Sequence, residues 1–372
     1  MTDDMPQQLA ALETPAVLVD LDRLDRNLAR AATYAANHGL ALRPHVKTHK
    51  APVVASAQLR LGACGLTCAT PREAEVMSEV CEDILVAYPP VGAARAKRLA
   101  ALPPSVRLTV ALDSEDAATE IARAARDARR EVGVYVELDV GMHRVGTATV
   151  DAAVALARRV SESEGLRFDG IAFYPGHVRE PLREQDAQLR ELDTALSRAL
   201  ERFHEAGLPP RVVSGGSTPT LWRTHELPGV TEIRPGTYVF NDRGALASGA
   251  CEWEDCALTV LATVVSTAVP GQAVIDAGTK ALGREPVRGE PGEGFAQLLD
   301  HPEVLVSRMS EEHGILDLSR TTWKPVVGEM VRIVPNHVCI VVHLNDEVYG
   351  IRGERLERRW PIAARGRSVL PR

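Results

Sequence analysis

The sequence predicts an α/β protein: a (β/α)8 TIM-type barrel joined to a mostly antiparallel β-domain. Three observations predict it. Strand-like and helix-like segments alternate through the first two thirds of the 372 residues, and eight of the strands fall in that stretch. No Gly-x-Gly-x-x-Gly follows any of them, so an open dinucleotide-binding sheet has no support. After about residue 245 the helical rhythm stops and Val-rich runs replace it.

An apolar strand from Pro15 to Asp22 opens the chain. It leads into an amphipathic helix start, Asp22-Arg23-Leu24-Asp25-Arg26-Asn27-Leu28. Residues 40–47 read as the first barrel strand and 50–61 as the helix after it. Further strands follow near 65–69, 83–88, 105–112, 131–139, 167–174, 211–214 and 230–234. Helices at 71–81, 91–102, 115–129, 148–162 and 180–206 separate them, rich in Ala, Arg, Glu and Leu with apolar positions three or four apart. The segment 218–226 is shorter and less regular. This places the barrel at 23–245 and the β-domain at 1–22 and 246–372, with the first strand joining the latter. Strands of the β-domain are expected at 257–268, 272–276, 304–308, 330–335 and 338–343, and Gly283 to Gly294 as a long surface loop.

Length suits two domains, and 45% hydrophobic residues allow a large buried interior. A net charge of -7, with no basic block, argues against nucleic acid as the main partner. Met1 to Ala10 is polar and acidic without an apolar signal core, and no run approaches membrane-spanning length. The six cysteines are scattered, which fits a reduced cytoplasm.

In such barrels chemistry collects at the C-terminal ends of the strands, with phosphate often bound after strands seven and eight. The chain has five lysines: Lys47, Lys50, Lys97, Lys280 and Lys324. Two stand in Arg43-Pro44-His45-Val46-Lys47-Thr48-His49-Lys50, where the first barrel strand ends. Packing and neighbouring positive charge can make Lys47 nucleophilic enough to form a Schiff base. The plainer reading is two solvated cations after a strand. Gly141-Met142-His143-Arg144-Val145-Gly146 follows strand five, and Tyr174-Pro175-Gly176-His177 ends strand six. Ser214-Gly215-Gly216-Ser217-Thr218 ends strand seven, and Arg234-Pro235-Gly236-Thr237-Tyr238 ends strand eight. Glycines beside hydroxyl side chains let backbone N–H groups cradle a phosphate. Either run alone is more often a turn. Their joint placement favours phosphate, with Ser214, Gly215, Gly216, Ser217, Gly236, Thr237 and Tyr238 as candidates. A Schiff-base lysine with a phosphate cradle implies pyridoxal 5'-phosphate.

His337 and Cys339 stand two apart in a run read as a strand, so both side chains should face one way. Imidazole with thiolate suits Zn2+, although two ligands leave a site incomplete and a buried cysteine is commonly core. The barrel-then-β-domain order, with lysine after the first barrel strand, resembles the fold-type III pyridoxal-phosphate enzymes, the alanine-racemase-like fold. Within them the chain resembles the D-threonine aldolase / D-serine dehydratase family. The matching residues are the Arg43–Lys50 run, Tyr174-Pro175-Gly176-His177, Ser214-Gly215-Gly216-Ser217, Arg234-Pro235-Gly236-Thr237-Tyr238, Glu311-Glu312-His313-Gly314 and Pro335-Asn336-His337-Val338-Cys339. They span nearly the whole chain.

The resemblance implies several expectations. Lys47 carries the cofactor, Arg144 lies near its ring, and Tyr174 stacks on it or hydrogen-bonds to it. A divalent metal sits on His337 and Cys339, zinc first, with manganese or magnesium as alternatives. Glu311, Glu312 and His313 shape that site or form a charged surface turn. His343 is a further ligand or an exposed strand residue. Aldolase members tend to show His-x-Asp at this point and dehydratase members His-x-Cys, as here. The activity implied is dehydration of a β-hydroxy-D-amino acid such as D-serine, D-threonine or D-threo-3-hydroxyaspartate to a keto acid and ammonia, in a cytoplasmic homodimer. Retro-aldol cleavage to glycine and an aldehyde is the alternative. A racemase would need a second base that the sequence does not reveal, and a non-catalytic pyridoxal-phosphate carrier would not need the β-domain.

Overall fold

The computed structural model describes residues 9–287 and 293–367. Most of the polar N-terminal segment (1–8) and the centre of the predicted Gly283–Gly294 loop (288–292) lie outside them. The chain forms two compact units. One takes the described parts of Met1–Ala29 and Thr237–Ile362, the other those of Arg30–Gly236 and Ala363–Arg372. Among the described residues no helix is long and apolar enough to cross a membrane.

The chain opens with β1 (Ala16–Asp20) and α1 (Leu21–Asn37). Eight parallel strands follow: β2 (Ala41–Leu42), β3 (Leu66–Cys68), β4 (Asp83–Val86), β5 (Arg107–Leu112), β6 (Val132–Leu138), β7 (Leu166–Phe173), β8 (Val212–Gly215) and β9 (Glu232–Ile233). Their order in the sheet is β2-β9-β8-β7-β6-β5-β4-β3. The ring closes between its two ends. Val46 N–H donates to Thr67 C=O at 2.8 Å, and Thr67 N–H to Pro44 C=O at 2.9 Å. Helices α2 (Pro52–Arg60), α3 (Pro71–Met77), α4 (Ala93–Ala100), α5 (Glu115–Asp127), α6 (Val150–Ser161) and α7 (Asp186–Glu205) separate the strands. Ser or Thr side chains cap α3, α5 and α6 at Thr70, Ser114 and Thr149, each accepting the N–H of the third helical residue. The predicted 180–206 helix begins later, at Asp186, after a separate 3-10 turn at Leu182–Glu184. Every residue of β6 is buried, as a strand covered on both faces requires.

The second unit continues with α8 (Arg243–Ala247), β10 (Leu258–Ser266), β11 (Gln272–Ile275), α9 (Thr279–Leu282), β12 (Ala296–Leu298), β13 (Leu305–Met309), β14 (Gly314–Asp317), β15 (Met330–Pro335), α10 (Val338–Leu344), β16 (Glu347–Arg352) and β17 (Arg355–Pro361). Nine strands form one sheet, β11-β14-β13-β12-β15-β10-β1-β16-β17. As expected, β1 joins it, antiparallel to β10 and parallel to β16. The β16–β17 hairpin is absent from the sequence expectation because Arg and Glu on its exposed face obscure the alternation.

One element is corrected. Residues 338–343 were expected as a strand and form helix α10 instead. The run Val338-Cys339-Ile340-Val341-Val342 is β-branched and apolar without alternation, which periodicity cannot assign. Its buried residues Val338, Val341 and Val342 follow helical spacing. The helix is also started from afar: Asp242 Oδ2 accepts the Val338 N–H at 3.1 Å.

Candidate active site

In a parallel barrel all strand C-termini open on one rim. Lys47 lies in the turn directly after the His45–Thr67 bridge. His45 N–H donates to Pro235 C=O at 3.0 Å and Arg234 N–H to Gly215 C=O at 3.0 Å. The chain around Lys47 therefore runs beside the Pro235-Gly236 segment, which runs beside Gly215-Gly216. Tyr174 directly follows β7, the next strand along, and Arg144 follows β6 beyond it. Five consecutive strands thus present the predicted residues in a row. Lys47 Nζ stands 5.7 Å from the centroid of the Tyr174 ring, and Arg144 Cζ stands 4.8 Å from it.

The two lysines of the motif differ in surroundings. Lys50 is buried, held at φ 51°, and its ammonium is paired with the Glu73 carboxylate. Glu73 Oε2 also accepts the Ala69 N–H at 2.6 Å. The C-terminal segment braces the same turn, since Ala364 N–H donates to Lys50 C=O at 3.0 Å. Lys50 is thereby a structural cation, while Lys47 is half-buried and faces an aromatic ring. His45 is buried, and burial, then Lys47, Arg234 and Lys50, hold its pKa well below the usual histidine range. A neutral imidazole suits its position, where Nδ1 accepts the Lys47 N–H at 3.4 Å.

The glycines of the two loops are required by space. At Gly236 a Cβ would meet Thr48 Oγ1 at 2.8 Å, and Gly216 has φ +84° with Thr224 Oγ1 at 3.3 Å. Backbone can thus approach a bound group here where a side chain could not. Gly215 answers to the core instead, because a Cβ there would strike the Phe173 ring. Ser214 is likewise committed inward. Its Oγ donates to Glu232 Oε1 at 2.5 Å and accepts from Arg234, which also donates to Phe173 C=O at 2.9 Å. Glu232 in turn holds Arg43 Nε at 2.7 Å. Burial lowers the Arg234 pKa, against the pull of Glu137 and Glu232. Ser217 Oγ lies 3.1 Å from Thr220 Oγ1. Thr237 and Tyr238, next in the chain, form a 3-10 turn in the other unit, with Tyr238 buried.

Arg144 is placed by carboxylates. Asp139 Oδ1 accepts the N–H of Gly141 and of His143, each at 3.0 Å, and Oδ2 lies 2.8 Å from His143 Nδ1. Asp113 Oδ2 accepts the Gly146 N–H at 2.8 Å. The loop between is fixed at both ends, and Arg144 projects from it.

In the β unit, His337 and Cys339 do not lie on a strand. His337 is the N-cap of α10 and Cys339 lies in its first turn. The pair still comes together, for a different reason than strand alternation. Cys339 first, and then the Asp242 carboxylate, raise the His337 pKa well above its usual value, against the cost of desolvating a half-buried ring. His337 Nδ1 lies 3.1 Å from Asp242 Oδ2, and Thr237 Oγ1 lies 4.0 Å from Cys339 Sγ. The donor set fits a soft divalent cation such as Zn2+: one thiol, and one imidazole whose Nδ1 is already occupied. His343 lies four residues after Cys339 on the same helix, yet among the described residues no group of three or more His, Cys, Asp or Glu is arranged to hold a metal. The site therefore offers two protein donors. Glu311 and Glu312 sit on the exposed β13–β14 turn, where both pair with Lys280, at 3.0 and 2.7 Å.

Sequence reasoning missed Asp242, which stands 95 residues from His337. It also missed the Glu232–Ser214–Arg234 network and the Glu73 partner of Lys50.

Comparison with known proteins adds to this geometry. Residues 19–244 match the family model "Alanine racemase, N-terminal domain", and residues 257–351 match "Putative serine dehydratase domain". The D-threo-3-hydroxyaspartate dehydratase of Delftia sp. (strain HT23) is 37% identical over 354 residues, covering 90% of this chain and 93% of that protein. The crystal structure of D-threonine aldolase from Filomicrobium marinum superposes with a TM-score of 0.90 at 32% identity, covering 97% and 98% of the two chains. A variant of D-threo-3-hydroxyaspartate dehydratase with one cysteine replaced by alanine, in the metal-free form, superposes with a TM-score of 0.88 at 32% identity over 98% and 100% of the chains.

Proposed function

This chain belongs to the fold-type III family of D-threonine aldolases and D-serine dehydratases, and on that premise we propose that it is a pyridoxal-phosphate- and metal-dependent dehydratase of β-hydroxy-D-amino acids. D-threo-3-hydroxyaspartate is the first substrate to consider, with D-serine and D-threonine after it. In the net reaction Cα loses a proton and Cβ loses its hydroxyl as water. The resulting enamine becomes an imine and takes up water, giving a keto acid and ammonia.

Lys47, the amine at the barrel rim, would hold the cofactor until the substrate amine displaces it, and the freed amine would then remove the Cα proton. The Gly216 and Gly236 backbones would receive the phosphate, and Arg144 and Tyr174 would flank the ring. An arginine near the ring nitrogen keeps its own proton, because guanidinium is too weak an acid to share it. Pyridoxal phosphate supplies an electron sink for the charge left at Cα. His337 and Cys339 would hold the metal, which would supply Lewis acidity for departure of the β-hydroxyl. The enzyme works as a cytoplasmic homodimer with zinc as its metal.

The observation that carries dehydration over cleavage is Cys339 beside His337. A thiolate gives more charge to a metal than a carboxylate does. A metal held this way would do less to help the β-hydroxyl lose its proton, which Cα–Cβ cleavage requires. Retro-aldol cleavage is the second reading, favoured by the likeness to D-threonine aldolase. Incubation with D-threonine, D-serine and D-threo-3-hydroxyaspartate, with assay of both product sets, separates them. Dehydration yields ammonia and a keto acid in equal amounts and leaves L-isomers largely untouched. Stoichiometric glycine and acetaldehyde from D-threonine, without 2-oxobutanoate, would overturn the reading.

A further inference from the structure

Asp242 is almost wholly buried, with 1% of its side chain exposed, and two backbone N–H groups and one imidazole nitrogen converge on it. Oδ1 accepts the Ala245 N–H at 2.8 Å and caps α8. Oδ2 accepts the Val338 N–H at 3.1 Å, at the start of α10, and lies 3.1 Å from His337 Nδ1. The backbone N–H of Val338 can only donate, so Oδ2 is fixed as an acceptor at this point. A carboxylate facing an imidazole nitrogen accepts from it, which puts the proton on Nδ1. With Nδ1 committed to the carboxylate, Nε2 is the ring nitrogen that would ligate a metal, giving up its own proton to do so. The His337 side chain keeps 36% of its surface exposed, so its ring is not sealed in behind the carboxylate. Cys339, two residues on, lies in the same first helical turn.

We propose that Asp242 is the positioning residue of the metal pair: by accepting the Nδ1 proton and the first N–H of α10, it sets both the tautomer of His337 and the turn that carries Cys339. This rests on the reading that His337 and Cys339 hold a divalent metal. One carboxylate thereby ties a ligand's orientation to the helix that presents the second ligand. Outer carboxylates of this kind orient metal-bound histidines and raise their basicity, and losing one weakens metal binding by about 10–100-fold.

The test uses the full-length protein loaded with pyridoxal phosphate. Zn2+ affinity is measured by competition with a chromophoric chelator for wild type, Asp242→Ala, Asp242→Asn, His337→Ala and Cys339→Ala. Asp242→Ala should bind Zn2+ about 10–100-fold more weakly. Asp242→Asn, which keeps one acceptor oxygen for Val338 and His337, should lose less. Cofactor absorbance should stay as in wild type in both. Unchanged Zn2+ affinity in both Asp242 variants, alongside its loss in His337→Ala, would overturn the proposal and leave the metal pair standing. Wild-type affinity in His337→Ala and Cys339→Ala would instead remove the metal reading itself. Should the Asp242 variants fail to fold, 15N-histidine spectra of the zinc-loaded wild type decide the matter. Zinc on Nε2 with a protonated Nδ1 supports the proposal, and zinc on Nδ1 refutes it.

Discussion

Exchanging the roles of two lysines three residues apart is the sharpest way to test the rim. Lys50 and Glu73 form a pair whose side chains are 9% and 1% exposed. Removing one partner of such a pair leaves the other charge buried alone, which costs about 3–5 kcal/mol. In Lys50→Met the apolar stem is kept and the Glu73 carboxylate loses its cation, with only the Ala69 N–H and the helix start left to it. Lys50→Met and Glu73→Leu should therefore each lose about 3–5 kcal/mol in urea unfolding, read from the midpoint shift and slope. The double variant buries no lone charge, so it should be less destabilised than either single variant. Lys47→Ala touches no such pair and should lose less than about 1 kcal/mol. Its yellow chromophore and its borohydride-reducible adduct should vanish, whereas Lys50→Met should retain both. Two results would refute the reasoning: Lys50→Met as stable as wild type, or an adduct that persists in Lys47→Ala.

Two other outcomes follow from the same structure. Burial lowers the His49 pKa to about 3, so unfolding takes up a proton as pH falls below the ordinary value of 6.5. Its contribution is complete above 6.5 and fades towards 3; over pH 6.5 to 5 it removes about 1.5 kcal/mol. Wild type should lose that much more than His49→Asn across this window in urea unfolding, and parallel curves would contradict the assignment. Chelation should abolish turnover while the cofactor spectrum stays, with Zn2+ restoring activity and Cys339→Ala matching the chelated protein. Elemental analysis finding no metal, with chelators inert, would end the Lewis-acid role.

Much of this protein was determined by its sequence alone. The eight barrel strands and their helices are set by short-range burial patterns, and such patterns are written into consecutive residues. Strand ends follow directly, so Lys47, Tyr174 and the glycine loops could be assigned to one rim before any coordinates. Tertiary structure decided the rest, because its causes lie far apart in the chain. Val338–Leu344 is a helix partly because Asp242 meets its first N–H, and no local pattern records that contact. Lys50 is set apart from Lys47 by its buried pairing with Glu73, and Ser214 is held inward by Glu232 and Arg234. The expectation that His337 and Cys339 share one face of a strand does not hold: they stand at the start of a helix, where a carboxylate 95 residues away from His337 faces its Nδ1. Periodicity reports which face of an element is buried; the partner that a buried polar group finds there is a property of the folded chain.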